Sequence, residues 1–149
     1  IQPTLINKKK ELLNERIISK DTSEKINNIL RKVVTDKNGT ASLANIYGYD
    51  VGGKTGTSQK YGKKNENINT FVSIFPKSDP KFTLLVMLDN PKPAPHIIYN
   101  YRGSLIKVDR NEAGWNTVYV SGKIIKKIGP ILAINNNDFK DEYVAEKIN

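Results

Sequence analysis

Apolar residues follow two rhythms along this chain. Ile26, Ile29, Leu30, Val33 and Val34 fall at i, i+3, i+4, i+7 and i+8, the spacing of one buried helix face. Asp21 stands where it can cap that helix, Glu24 three residues on completes a capping-box pattern, and Asn38-Gly39 supplies a stop. Residues 40–45 fit one more helical turn. A second stripe, from Val118 through Val120, Ile124, Ile125, Ile128, Ile131 and Leu132, predicts another helix, which Pro130 should kink or shorten. Between the two stripes the rhythm changes. Residues 69–76 and 82–89 are rich in β-branched and aromatic side chains and are joined by Lys77-Ser78-Asp79-Pro80, a turn sequence. Strands this close in sequence pair as an antiparallel hairpin. The stretch 48–58 opens as a further strand lying alongside.

The remaining segments carry weaker patterns. Residues 1–20 fit a loop and a short strand. The polar segment 59–67, with Gly62 and paired lysines, fits an exposed loop that includes Tyr61. Pro91, Pro93 and Pro95 forbid regular structure to about Ile97, and 99–115 is expected to be irregular. Residues 135–149 form a polar tail. The expected architecture is α+β: an antiparallel sheet of at least three strands with flanking helices, built by residues 1–134.

Composition narrows the function classes. A chain of 149 residues, 38% hydrophobic and 26% charged, fits one globular domain with a real core. No apolar run approaches bilayer-spanning length. The chain starts at Ile1 rather than Met, which suggests a piece of something longer whose targeting signals lie elsewhere. The absence of cysteine excludes disulfides and thiolate metal sites. A net charge of +9 invites a nucleic-acid partner, yet the lysines are scattered, and the densest run, Lys8-Lys9-Lys10, meets Glu11 at once. A solvated lysine-rich surface is the simpler expectation, with no nucleic-acid partner.

Candidate chemistry concentrates in Gly48-Tyr49-Asp50-Val51-Gly52-Gly53-Lys54-Thr55-Gly56-Thr57-Ser58, a strand with one fixed positive charge flanked by glycines and carrying threonine hydroxyls. Alternation along the strand puts Lys54 and Gly56 on one face and Thr55 and Thr57 on the other. An ordinary edge-strand lysine that discourages aggregation is the plain alternative. His96 is the only histidine and sits in the Pro-rich loop; it makes neither a triad nor a metal site. Asp79, Asp89 and Glu66 lack paired metal-ligand spacing, so no metal is expected. Trp115 is expected to anchor the last helix or to line a cleft mouth.

Lys54-Thr55-Gly56 matches the K-T-G motif of penicillin-binding proteins and serine β-lactamases. Together with residues 21–34, Asn38-Gly39-Thr40-Ala41, Thr70-Phe71-Val72, Phe75-Pro76, Leu88-Asp89-Asn90-Pro91-Lys92 and Ala113-Gly114-Trp115-Asn116, it resembles the C-terminal part of a class B penicillin-binding protein transpeptidase domain, nearest the septal peptidoglycan transpeptidases. The resemblance covers about residues 1–134. It implies a serine β-lactamase-like fold and D,D-transpeptidation of cell-wall stem peptides without a cofactor. It also implies inhibition by β-lactams, divisome partners, and a place at the periplasmic face of the inner membrane, anchored through a missing N-terminal part.

In that family Lys54 would serve the anionic substrate and proton transfer. Thr55 and Thr57 would meet the substrate carboxylate, Gly56 would admit the substrate backbone, and the Thr57 N–H would contribute to the oxyanion hole. The family's S-x-x-K serine and its S-x-N motif are expected outside this chain. Ser78-Asp79-Pro80-Lys81 and Ser104-Leu105-Ile106-Lys107 have the S-x-x-K spacing, but neither lies in a helical pattern. A penicillin-sensing or β-lactamase domain is the alternative within the superfamily, and a basic module binding envelope polymers or nucleic acid is the alternative outside it. A domain cut in its middle should expose apolar surface or oligomerise.

Overall fold

A computed structural model of the chain describes residues 16–64 and 66–135. Helix α1 spans Lys20–Thr35 and begins at a different cap from the one expected. Ser19, with extended backbone, accepts a hydrogen bond from the Thr22 N–H at 3.1 Å, so serine takes the cap and Asp21 falls in the first turn. Asp21 then pairs with Lys25 at 2.7 Å, and Glu24 turns to Lys20 instead of closing a capping box. The helix stops at Thr35, before Asn38-Gly39, where the Asp36 N–H donates to the Lys32 carbonyl at 2.9 Å. A short 3-10 turn follows at Ser42–Ala44. Residues 16–19 form no strand, and the rest of the expected N-terminal strand lies outside the described residues.

Strands β1 (Gly52–Gln59), β2 (Asn67–Phe75) and β3 (Phe82–Asp89) form one antiparallel sheet in the order β1-β2-β3. β1 begins four residues after Gly48, because Gly48 and Asp50 both adopt positive φ and hold the entry out of an extended path. The register aligns Lys54, Val72 and Leu85 on one face and Thr55, Phe71 and Val86 on the other. Phe71, Phe75 and Val86 belong to the core, with Val34, Ala44, Tyr49 and Val51, and helix α2 (Thr117–Asn135) contributes Val118 and Ile125. The opposite face stays open: Val72 is 43% exposed, Leu85 57% and Met87 61%. The expected exposed apolar surface lies there and along α1, where Ile26 and Ile29, expected on the buried stripe, are exposed and Val34 is the residue that is buried.

Residues 99–115 are more regular than expected. β4 (Ile98–Tyr101) and β5 (Ser104–Lys107) pair as a separate hairpin, and Ala113–Trp115 forms a 3-10 turn. The two-residue turn places Arg102 at φ 54° and Gly103 at φ 84°, the primed geometry that matches strand twist. Arginine is an uncommon residue for that conformation, so the turn carries little sequence signal. Inward, Tyr99 meets Trp115 and Tyr119 edge-on, and Tyr101 meets Trp115 at 5.1 Å. α2 runs through Pro130 to Asn135, so the proline does not shorten it. Apart from Asn135, the expected C-terminal tail lies outside the described residues.

The start of β1 is glycine for steric reasons. A Cβ at Gly53 would stand 2.6 Å from both Phe71 Cζ and the Val72 carbonyl oxygen, and one at Gly52 would stand 3.3 Å from the α1 backbone at Arg31. The Phe71 ring occupies the space that Gly53 leaves. Gly53→Ala should therefore lower unfolding stability by about 1–3 kcal/mol, read as a reduced urea midpoint with an unchanged slope.

Candidate active-site strand and its cavity

β1 is positioned from its first residues. Arg31 of α1 donates to the Val51 carbonyl at 2.7 Å and pairs with the Asp50 carboxylate at 3.2 Å. The other Asp50 oxygen accepts the Ser78 N–H at 3.2 Å, and the Asp50 carbonyl accepts the Lys77 N–H at 2.8 Å. Helix, strand entry and the β2–β3 turn are thus tied through one residue.

Beyond that entry the four residues singled out in the sequence divide between the faces. Lys54 is exposed, and its ammonium donates to the Thr55 carbonyl at 2.7 Å. Gly56 shares that face, where the Thr70 hydroxyl crowds it: a Cβ there would come within 2.6 Å of Thr70 Oγ1. On the other face, Thr55 Oγ1 lies 2.9 Å from Thr40 Oγ1, and Thr57 Oγ1 accepts the Ala113 N–H at 3.1 Å. These bonds bring the segment after α1, the strand and the segment before α2 together. Between them lies a cavity of about 360 Å³, lined by Lys37, Thr40, Thr55, Thr57, Arg110 and Trp115 among others. Lys54 and Gly56 do not line it.

β1 pairs with β2 along one edge, and among the described residues no strand pairs with the other. Residues two apart in an antiparallel strand direct their N–H and C=O groups toward the same edge. The Thr57 N–H therefore shares the edge of the Thr55 carbonyl that Lys54 reaches.

The cavity walls are aromatic and basic. The Arg110 guanidinium sits 5.4 Å from the Trp115 ring centroid and 3.8 Å from Glu112, and Arg102 lies over Tyr101 and donates to the Asp36 carbonyl. Hydrogen bonding to Arg102 holds the Tyr101 phenol below its ordinary pKa, with lesser help from Ser42 and from the charges of Arg102 and Arg110. Burial pushes the neighbouring Tyr99 upward. Sequence reasoning considered Trp115 for this place but missed Lys37, Tyr101 and Arg110. Thr40 had a signal, since it sits in Asn38-Gly39-Thr40-Ala41; the others are brought to the cavity by tertiary packing, Tyr101 from the end of β4, and had none.

Neither serine with S-x-x-K spacing lies on a helix. Ser78 is exposed in the β2–β3 turn, where Lys81 pairs with Asp79, and Ser104 is exposed at the start of β5. His96 is exposed in a turn and Tyr61 in a loop. Among the described residues no group of three or more metal-ligating side chains gathers, and no helix is long and apolar enough to cross a membrane.

Residues 1–107 match the family described as the penicillin binding protein transpeptidase domain. The chain is 40% identical over 91 residues to Stage V sporulation protein D of Bacillus subtilis, covering 58% of this chain and 14% of that protein. It is 28% identical over 130 residues to a probable peptidoglycan D,D-transpeptidase FtsI of Caulobacter vibrioides, covering 80% of this chain and 20% of that one. In three dimensions it is similar to the transpeptidase domain of the FtsI4 D,D-transpeptidase of Legionella pneumophila, with TM-score 0.57 and 27% identity over 76% of this chain and 37% of that chain. The chain thus spans a fifth or less of the length of these two curated relatives.

Two measurements test the site's local physics. In a double-mutant cycle, Thr40→Val and Thr55→Val should couple by about 0.5–1.5 kcal/mol, whereas independent hydroxyls would give additive losses. In an alkaline titration followed by tyrosinate absorbance, Tyr101→Phe should remove an early-ionising phenol and Tyr99→Phe a late-ionising one.

Proposed function

The chain belongs to the penicillin-binding protein transpeptidase family, and from that premise we propose that it supplies the substrate-docking strand of a peptidoglycan D,D-transpeptidase that works in cell division and is acylated by β-lactams. The observation that carries the reading is β1: it presents Lys54-Thr55-Gly56-Thr57 along an edge with no partner strand among the described residues, beside a cavity walled by aromatic and basic side chains. An extended stem peptide, or a β-lactam that imitates one, docks there as an added strand through backbone hydrogen bonds.

The side chains keep the capacity this requires. The Lys54 ammonium has three donors, and the Thr55 carbonyl uses one, which leaves two for substrate or for a neighbouring hydroxyl. Thr57 Oγ1 accepts from Ala113, so its O–H remains free to donate to a carboxylate. Thr55 has the same freedom when Thr40 is the donor of their shared bond. The Thr57 N–H supplies one oxyanion-hole donor, a contribution typically worth about 2.7–4 kcal/mol in such sites. Acyl transfer runs from the D-alanyl-D-alanine carbonyl to a serine outside this chain, releasing D-alanine, and then to an amine of a neighbouring stem peptide. The turn and strand positions of Ser78 and Ser104 support an external nucleophile. The catalytic domain faces the periplasm, held at the inner membrane by polypeptide outside this chain, among division proteins.

A fluorescent penicillin tests this reading. The longer protein that contains this chain should be labelled, and Lys54→Ala should slow labelling by about 10²-fold or more. The 149-residue chain alone should stay unlabelled. Labelling at Ser78 or Ser104 would overturn the assignment of the nucleophile.

A further inference from the structure

The polar contacts behind Thr57 run in a fixed order. Asn69 stands opposite Thr57 in the β1–β2 register and is fully buried. Its amide nitrogen donates to the Asn111 carbonyl at 3.0 Å and, at 3.4 Å, to Asn111 Oδ1. Its own Oδ1 finds no partner among the described residues. A core asparagine with an unsatisfied oxygen costs stability, so its hold on Asn111 calls for a role.

The order starts from the Pro91 carbonyl, which can only accept. It takes Asn111 Nδ2 at 2.6 Å, and this turns Asn111 Oδ1 the other way. Asn69 and Asn116 must then present their amide nitrogens to that oxygen, and Asn116 does so at 3.1 Å. Asn116 Oδ1 is left for the Thr117 N–H, which it accepts at 2.6 Å where α2 begins. The buried Thr117 hydroxyl donates back to the Ala113 carbonyl at 3.1 Å. Residues 111–117 are thus anchored at both ends, and between the anchors the Ala113 N–H donates to Thr57 Oγ1.

We propose that Asn111 is a positioning residue for the acylation step: it holds residues 111–117 so that the Ala113 N–H occupies the Thr57 oxygen and leaves the Thr57 proton for the carboxylate of the ligand. This role rests on the reading of β1 as the docking strand. Asn111 does not line the cavity, although Arg110, Glu112 and Ala113 do, so it acts through Ala113 and Thr57 and not on the ligand itself. Without the Ala113 bond the Thr57 hydroxyl is free to turn its proton toward backbone carbonyls, and an arriving anion must first undo that contact.

The test uses the longer protein, with fluorescent penicillin as the probe. Asn111→Ala should slow acylation about three- to tenfold, and Thr57→Val at least as much. In the Thr57→Val background Asn111→Ala should cost little more, because the hydroxyl through which it acts has gone. A merely structural role would slow both backgrounds by the same factor. Hydrogen exchange should rise in the peptide covering residues 111–117 of Asn111→Ala while peptides of α1 and β2 stay protected, which also shows that the variant folds. Asn116→Ala, which removes a single link at the start of α2, should repeat the pattern at about two- to threefold, and it serves where Asn111→Ala does not fold.

The outcomes separate. If the wild type is acylated but Thr57→Val matches it, or if the asparagine variants slow both backgrounds equally or neither, the positioning role falls and the docking strand stands. If the wild type is not acylated at all, the docking strand falls and the positioning role with it.

Discussion

Arg31 reaches from the C-terminal part of α1 to the two residues that lead into β1, and the rest of the site depends on where that reach puts the strand. Its guanidinium holds the Val51 carbonyl and the Asp50 carboxylate together, and Asp50 in turn fastens the turn between β2 and β3. A planar fork of donors suits this role, because it fixes direction as well as distance. Asp50 carries a positive φ, an uncommon conformation for a residue other than glycine, and its contacts with α1 and with the β2–β3 turn hold it there. The strand therefore leaves the junction in a fixed orientation, with Thr55 toward Thr40 and Thr57 toward Ala113, and Lys54 on the opposite face.

This arrangement separates two tasks along one strand. One face is braced by hydroxyls: Thr55 with Thr40, and Thr57 with the Ala113 amide. The edge keeps backbone groups and the lysine charge available to a ligand. A backbone that must accept an incoming strand gains from being rigid beforehand, since less ordering remains to be done on binding. Glycines at 52 and 53 serve the same end by letting α1 and the Phe71 ring close against the strand's first residues.

Much of this was legible in the chain itself. The first helix, the hairpin of β2 and β3, and the last helix follow from spacing alone, but the stripe on α1 is buried only at Val34 and leaves Ile26 and Ile29 exposed. The family likeness rested on motif order along the chain, and residues 1–107 match the family. What escaped has local physical causes. The start of α1 shifted because Ser19 caps as well as an aspartate does and stands nearer the extended entry. The β4–β5 hairpin was hidden by a turn that uses an arginine where glycine or asparagine would have announced it. Lys37, Tyr101 and Arg110 share the cavity only because the segment after α1 converges with the end of β4 and the segment after β5, and no single-sequence period records such a meeting.

The same arginine has a mechanical consequence. Arg102 sits at the tip of the hairpin and donates to the carbonyl of Asp36, the residue that terminates α1, while its neighbour Tyr101 forms part of the cavity wall. The hairpin and the end of the helix are therefore joined beside the cavity, and the spacing of Tyr101 and Lys37, which both line it, is held in part by one exposed hydrogen bond between their chain neighbours.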